Sequence, residues 1–563
     1  MAQSEQIHEV QVDQHVPIPM RDGTRLSAEV YRPQAAGKWP VIVARDGYDP
    51  SLAFPVEFGT FFSQRGYVYV INNTRGTYQS EGLFFPMIDD AWGENRDGYD
   101  TIEWAAHQPW SNGKVGMYGF SYTAFTQYLA ASTRPPSLKA CVPFFGSSVR
   151  EIVFQQGVHR LKEHRGWAVY MAVEGLQHVG TTNEEKAIYR PALDKAQQAI
   201  ESWFQHLPLK DFPPLADLAP WYFEHVSHPP GDPWWRQTDA RTMFDQIDVP
   251  MLHVGGWYDL YLNGTLDHYL GIVAQGRSES CRNAQRLVVG PWHHEDAATP
   301  PPPLDFGRDA IIDFKETALR WFDYWLKGQN NGVPADPKVR LFLMGENRWL
   351  EMDQWPPADV TYTPIYLRQG TGKSEESLNN GCLTFNLPSA AEQPDSYAYD
   401  PENPIPFSEV DQQALEGGLL TYTSAPLHEP IVVIGPVKAV LYASSSAPDT
   451  DWLVRLCDVL PDGRSIRVCD GVVRARYRTS LASEAFMQPS EVYQFAIDMT
   501  ATAQTFLAGH RIRVDVTSSN FPWLDRNLNT GGPFGEEAVG QVAINTIFHD
   551  ATRPSHVVLP VRR

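Results

Sequence analysis

Lys114-Val-Gly-Met-Tyr-Gly-Phe-Ser-Tyr-Thr-Ala-Phe-Thr-Gln-Tyr-Leu-Ala-Ala131 is the stretch whose reading decides the fold of this chain. A short apolar strand runs into a sharp turn tipped by Ser121, and a helix follows. A serine at such a strand-to-helix turn is a nucleophile elbow, with its hydroxyl clear of both elements at the rim of a sheet. The competing reading is local: a serine ahead of a helix also serves as an N-cap, and Gly-x-Ser is a short motif. The sequence on either side decides between them.

Upstream, Val16 to Pro33 reads as a β-hairpin with Asp22-Gly23 at its turn. Apolar strands follow at Pro40–Ala44 and Gly66–Ile71. A helical pattern over Gly98–His107 precedes the strand Val115–Tyr118, and Leu138–Phe145 is the next strand. Short β-rich runs alternating with helical segments predict a parallel sheet covered on both faces. From Ser148 to Asp245 apolar residues recur at helical spacing among clustered tryptophans (Trp167, Trp203, Trp221, Trp234, Trp235), which predicts a helical cap. Strands resume at Val249–Val254 and Gln285–Val289, and Asp313–Lys327 is an amphipathic helix. Beyond Asp336 strand-like runs dominate, from Leu341–Met344 through Ile431–Ile434, Lys438–Ala443 and Arg511–Thr517 to His556–Pro560, with Leu460-Pro-Asp-Gly-Arg464 as a hairpin turn. The expected architecture is therefore an α/β-hydrolase domain over 1–147 and 246–335, a cap inserted at 148–245, and an all-β jelly-roll sandwich over 336–563.

The 563 residues exceed one hydrophobic core, in keeping with several domains. A formal charge of −21 disfavours polyanionic partners, both nucleic acid and anionic membrane surfaces. Residues 1–20 lack a basic region followed by an apolar run, so no signal peptide is expected there, and no segment is apolar enough for a membrane span. Five scattered cysteines show no metal or disulfide spacing, and a reducing cytoplasm is the expected compartment.

A serine hydroxyl needs a base, and the base needs an orienting acid. In α/β-hydrolases these follow the serine in the order acid, then histidine, on loops at strand ends. Gly255-Gly-Trp-Tyr-Asp259 and Gly290-Pro-Trp-His-His294 each follow a buried strand, so Asp259 is the candidate acid. Chemistry alone leaves His293 and His294 both open as the base. A metal site at His293-His294-Glu295-Asp296 is disfavoured, because adjacent residues rarely converge on one ion. Tyr261 and Trp167 are candidate pocket walls.

Several motifs in order extend this reading: Arg45-Asp-Gly-Tyr-Asp49, Asn73-Thr-Arg-Gly-Thr-Tyr-Gln-Ser-Glu-Gly82, Gly116-Met-Tyr-Gly-Phe-Ser-Tyr122, the two loops just quoted, Leu460-Pro-Asp-Gly463, Asp470-Gly471, Ser518-Ser-Asn-Phe-Pro522 and Asp525-Arg-Asn-Leu-Asn-Thr-Gly-Gly532. With these the chain resembles, over nearly its whole length, the serine hydrolase family of bacterial cocaine esterase, α-amino-acid ester hydrolases and X-prolyl dipeptidyl aminopeptidases. The resemblance implies Ser121 as nucleophile, Asp259 as acid and His294 as base. It implies an oxyanion hole formed by the Tyr48 hydroxyl and the Tyr122 backbone N–H. It implies ester hydrolysis of a small molecule without a cofactor, although amide cleavage and acyl transfer use the same triad. Members of this family selective for amino substrates carry acidic residues just after the triad aspartate; here Asp259 is followed by Leu260-Tyr-Leu-Asn-Gly264, with none, so the resemblance implies an uncharged or aromatic acyl group. It also implies a β-domain that walls the site and supports homo-oligomer assembly. Two positions depart from the family pattern: Ala124 replaces a glycine three residues after the serine, and Asn73 replaces an aspartate.

Overall fold

The apolar runs of the first half line up side by side. In the computed structural model, which describes residues 3–295, 299–375 and 377–562, they are β1 (Val10–Pro19), β2 (Arg25–Pro33), β3 (Trp39–Asp46), β4 (Val68–Asn73), β5 (Ser111–Phe120), β6 (Leu138–Phe144), β7 (Leu252–Gly256), β8 (Arg286–Gly290), β9 (Val339–Leu343) and β10 (Arg348–Met352). They form one sheet in the order β1-β2-β4-β3-β5-β6-β7-β8-β9-β10. Every pairing from β4 across to β9 is parallel, and the outer pairings β1–β2, β2–β4 and β9–β10 are antiparallel. The helices are α1 (Ala53–Gln64), α2 (Asp97–Ala106), α3 (Tyr122–Ser132), α4 (Leu161–Gly175), α5 (Asn183–Gln198), α6 (Pro220–Ser227), α7 (Leu262–Gln275) and α8 (Phe314–Trp325).

Alternation along each strand sends successive side chains to opposite faces. Val41 and Val43 of β3 pack with Ile102 of α2 and Phe125 of α3 on one face. Ile42 and Ala44 pack with Phe62 of α1 and Phe322 of α8 on the other. Both faces are thus covered, which is why the central strands read as continuous apolar runs. Helices α4 to α6 form the insertion between β6 and β7, with a core of their own around Trp221, Tyr222 and Leu215.

The strand over Leu341–Met344 was expected to open the β-domain at 336, and the structure corrects this. β9 pairs parallel with β8, and β10 closes that edge, so the hydrolase sheet runs on to Met352. An apolar run carries no mark of the sheet it joins. This one also touches both sheets, since Met344 N–H donates to Ala503 O at 2.9 Å and Thr505 N–H to Met344 O at 2.8 Å. The strands beyond β10 form an eleven-stranded, mostly antiparallel sheet around a separate core that includes Trp452, Leu441, Phe495 and Val514. Ile431–Ile434 and Lys438–Ala443 are one strand, Ile431–Ser445, with a register shift between Pro436 and Lys438. Two of the second-half motifs, 518–522 and 525–532, lie in buried polar networks: Asn527 donates to Asp449 and Asp451, which also hold Arg476 and Arg474, and Arg455 donates to Asn520. The five cysteines are unpaired. Among the described residues no helix is long and apolar enough to cross a membrane.

Candidate active site

Ser121 ends β5 and precedes α3 with φ 56° and ψ −117°, a strained conformation for a non-glycine residue. Its side chain accepts no cap hydrogen bond from the helix, so the hydroxyl is not spent as an N-cap. The turn is tight enough that a Cβ on Gly119 would lie 2.0 Å from Thr123 Oγ1. Ala124 is tolerated because its methyl faces Gly146, where a Cβ would come within 2.9 Å of it.

Ser121 Oγ lies 2.9 Å from His294 Nε2, and His294 Nδ1 lies 2.6 Å from Asp259 Oδ2. The second carboxylate oxygen of Asp259 accepts from Tyr261 N–H at 2.7 Å, which fixes the carboxylate in place. His294 stands against Phe120 and, edge-on, against Tyr261 at 5.0 Å between ring centroids. Burial alone would depress its pKa. The charge of Asp259 and its hydrogen bond, with Glu163 and Glu295 behind, outweigh burial and raise it above the ordinary value of 6.5. His293 turns the other way, toward Glu409 of the C-terminal domain at 3.2 Å. The two histidines therefore do not converge, and among the described residues no group of side chains has metal-site geometry. Asp296 lies outside the described residues.

Tyr48 follows β3 at the same sheet edge as the elbow. Its backbone carbonyl accepts from Asn73 Nδ2 at 2.9 Å, so the asparagine that departs from the family pattern anchors this loop. Trp167 Nε1–H donates to the Tyr48 hydroxyl oxygen at 2.9 Å. That bond uses the oxygen as acceptor and leaves the phenolic O–H free to donate. Burial, reinforced by Asp46, holds the phenol well above its ordinary pKa, so it stays protonated. The N–H of Ser121 is taken by Phe144 O, whereas the N–H of Tyr122, at the first turn of α3, has no partner among the described residues.

The cap supplies residues that sequence reasoning missed. These are Glu163, Tyr170 and Met171, which share one face of α4 with the expected Trp167 at helical spacing, the only signal that could have grouped them. Tyr170 packs edge-on to Tyr48, and Glu163 Oε1 accepts from the Tyr261 hydroxyl at 3.0 Å. Tyr261, expected as a pocket wall, is buried between His294 and Glu163. Trp167, the other expected wall, is held against Tyr48 and Tyr122.

Residues 22–296 match the family model described as X-Pro dipeptidyl-peptidase (S15 family), and residues 331–558 match the X-Pro dipeptidyl-peptidase C-terminal non-catalytic domain. The chain is 35% identical to cocaine esterase of Rhodococcus sp. (strain MB1 Bresler), with 98% of each chain covered. A solved α-amino acid ester hydrolase is 27% identical with a TM-score of 0.80, covering 100% of this chain and 98% of that one. An aminopeptidase from the marine sediment archaeon Thaumarchaeota archaeon is 26% identical over the same shares, also with a TM-score of 0.80.

Proposed function

Because this chain belongs to the family of cocaine esterase and the S15 X-Pro dipeptidyl-peptidases, and is a serine ester hydrolase, we propose that Ser121, His294 and Asp259 are its catalytic triad. The observation that carries the proposal is the hydrogen-bonded chain from Ser121 through His294 to Asp259, 2.9 Å and 2.6 Å long. His294 takes the serine proton as Oγ attacks the acyl carbon, and Asp259 stabilises the imidazolium that forms. The Tyr48 O–H and the Tyr122 N–H donate to the oxyanion. The alcohol leaves with the proton from His294, and water activated by the same base releases the acid.

The aromatic surroundings of the triad (Phe120, Tyr170, Trp167) favour an uncharged or aromatic acyl group. Glu163 favours a second reading, in which a substrate ammonium group beside the scissile bond meets a carboxylate supplied by the cap. Turnover of a phenyl acetate or benzoate ester against a phenylglycine ester separates the two. Faster turnover of the amino ester, lost in Glu163→Gln, would establish the second. Ser121→Ala is expected to abolish turnover and labelling by a fluorophosphonate probe; retained activity in the purified variant would reject the nucleophile.

We read the C-terminal sheet as a jelly roll that braces the site. We also read the protein as cytoplasmic, which its unpaired cysteines support. A small-molecule ester is its partner, with self-association through the β-domain and no nucleic acid or membrane bound.

A further inference from the structure

A cleft of about 300 Å3 opens between the foot of the cap, α7 and the C-terminal domain. Three guanidiniums line it, those of Arg150, Arg160 and Arg241. Arg160 is only 6% exposed, and its Nε has no hydrogen-bond partner. Neither Arg150 nor Arg160 has an ion-pair or hydrogen-bond partner for its side chain among the described residues. The third guanidinium, Arg241, is saturated: it binds Asp239 at 2.7 Å, Ser148 at 2.8 Å and Glu151, and reaches Asp267 at 3.4 Å. Glu151 and Asp239 are thereby already paired.

The other acids facing the cleft are Asp267 and Asp498. Burial, with Glu151 nearby, pushes Asp267 up to about 6, and burial raises Asp498. A guanidinium keeps its charge at any pH a protein meets, so Arg150 and Arg160 stay charged in the cleft while neither is hydrogen-bonded to a carboxylate there. Phe154, Leu266, Leu270 and Trp355 give it an apolar wall, and Gln155, Gln156, Asn263 and Thr500 add neutral polar groups. A buried, unpartnered guanidinium is costly unless a ligand completes it.

We infer that this cleft is a binding site for a small organic carboxylate with an apolar body, held by Arg150 and Arg160. It is distinct from the Ser121 centre but adjacent to it. Arg160 immediately precedes α4, whose Glu163 binds Tyr261, and Asn263 of the cleft lies two residues beyond Tyr261 on α7. Carboxylic acids are the class of molecule that ester hydrolysis releases. That link rests on the hydrolase reading, whereas the binding does not.

The test uses the full chain with Ser121 blocked by a fluorophosphonate, the adduct being verified by mass spectrometry. Absence of an adduct would count against the nucleophile and leave the cleft to be tested in Ser121→Ala. Binding of benzoate, with benzylamine as the cationic control, is followed by titration calorimetry. One benzoate per blocked chain is expected. Arg160→Gln and Arg150→Gln should each weaken it about tenfold or more, and Arg160→Lys should recover part of the loss. If Arg160→Gln fails to fold, the less buried Arg150→Gln decides. No benzoate binding to the blocked chain, preference for benzylamine, or undiminished binding in the glutamine variants would overturn the inference.

Discussion

Tyr48 carries two loads in one atom. Its oxygen receives the Trp167 indole N–H, and its proton is thereby aimed at the place where an oxyanion forms. Tyr48→Phe should lower kcat about 10²–10³-fold with little change in KM, the usual cost of one oxyanion donor; an unchanged kcat would remove Tyr48 from the role. Trp167→Phe keeps the aromatic bulk and removes only the aiming bond. It should cost about 3–10-fold in kcat, the worth of one neutral hydrogen bond, and a change confined to KM would contradict this. His294 works as a base only when neutral, and its pKa is raised. The acid limb of kcat/KM should therefore have its midpoint above 6.5 and fade as pH falls through it. Glu163 contributes to that rise, so Glu163→Gln should move the limb to lower pH; a limb that stays in place would show the carboxylate to be without influence on the base.

At the scale of elements, the elbow depends on matched small residues. Gly119→Ala would force a Cβ to 2.0 Å from Thr123 Oγ1 at a φ of 149°, and destabilisation of about 1–3 kcal/mol or more is expected from such strain. Gly146→Ala would meet Ala124 at 2.9 Å and Tyr128 at 2.8 Å. Its cost in thermal unfolding should be smaller in an Ala124→Gly background, because the two positions share one space; equal costs in both backgrounds would show that they do not. Much of this was legible in the chain itself. Short continuous apolar runs and the loops after them located the parallel sheet, and the loop after β7 brought Asp259 to the elbow. The choice between His293 and His294 was not legible from chemistry, because an irregular loop has no period that tells which side chain faces inward. Glu163 was hidden for another reason. It lies 98 residues before its partner Tyr261, and only the docking of α4 brings the two together.

At the scale of the whole molecule, the two halves are not independent bodies. Trp257, Leu287, Leu341 and Leu343 of the hydrolase sheet share one buried cluster with Ile434, Ala501 and Ala503 of the C-terminal domain. That continuity is why no boundary signal marked the step from β10 into the second sheet. The chain should unfold in one calorimetric transition, and Ile434→Ala should lower it by about 2–5 kcal/mol without splitting it; two resolved transitions would refute the shared core. The same domain grips the loops that carry the acid and the base, with Arg467 over the Tyr258 ring and Glu409 on His293.

The indole that steadies Tyr48 belongs to the lid, not to the sheet. Any excursion that lifts α4 from its seat withdraws this brace and the Glu163 carboxylate behind Tyr261 together. The posture of one helix thus sets an oxyanion donor and the surroundings of the base at the same time.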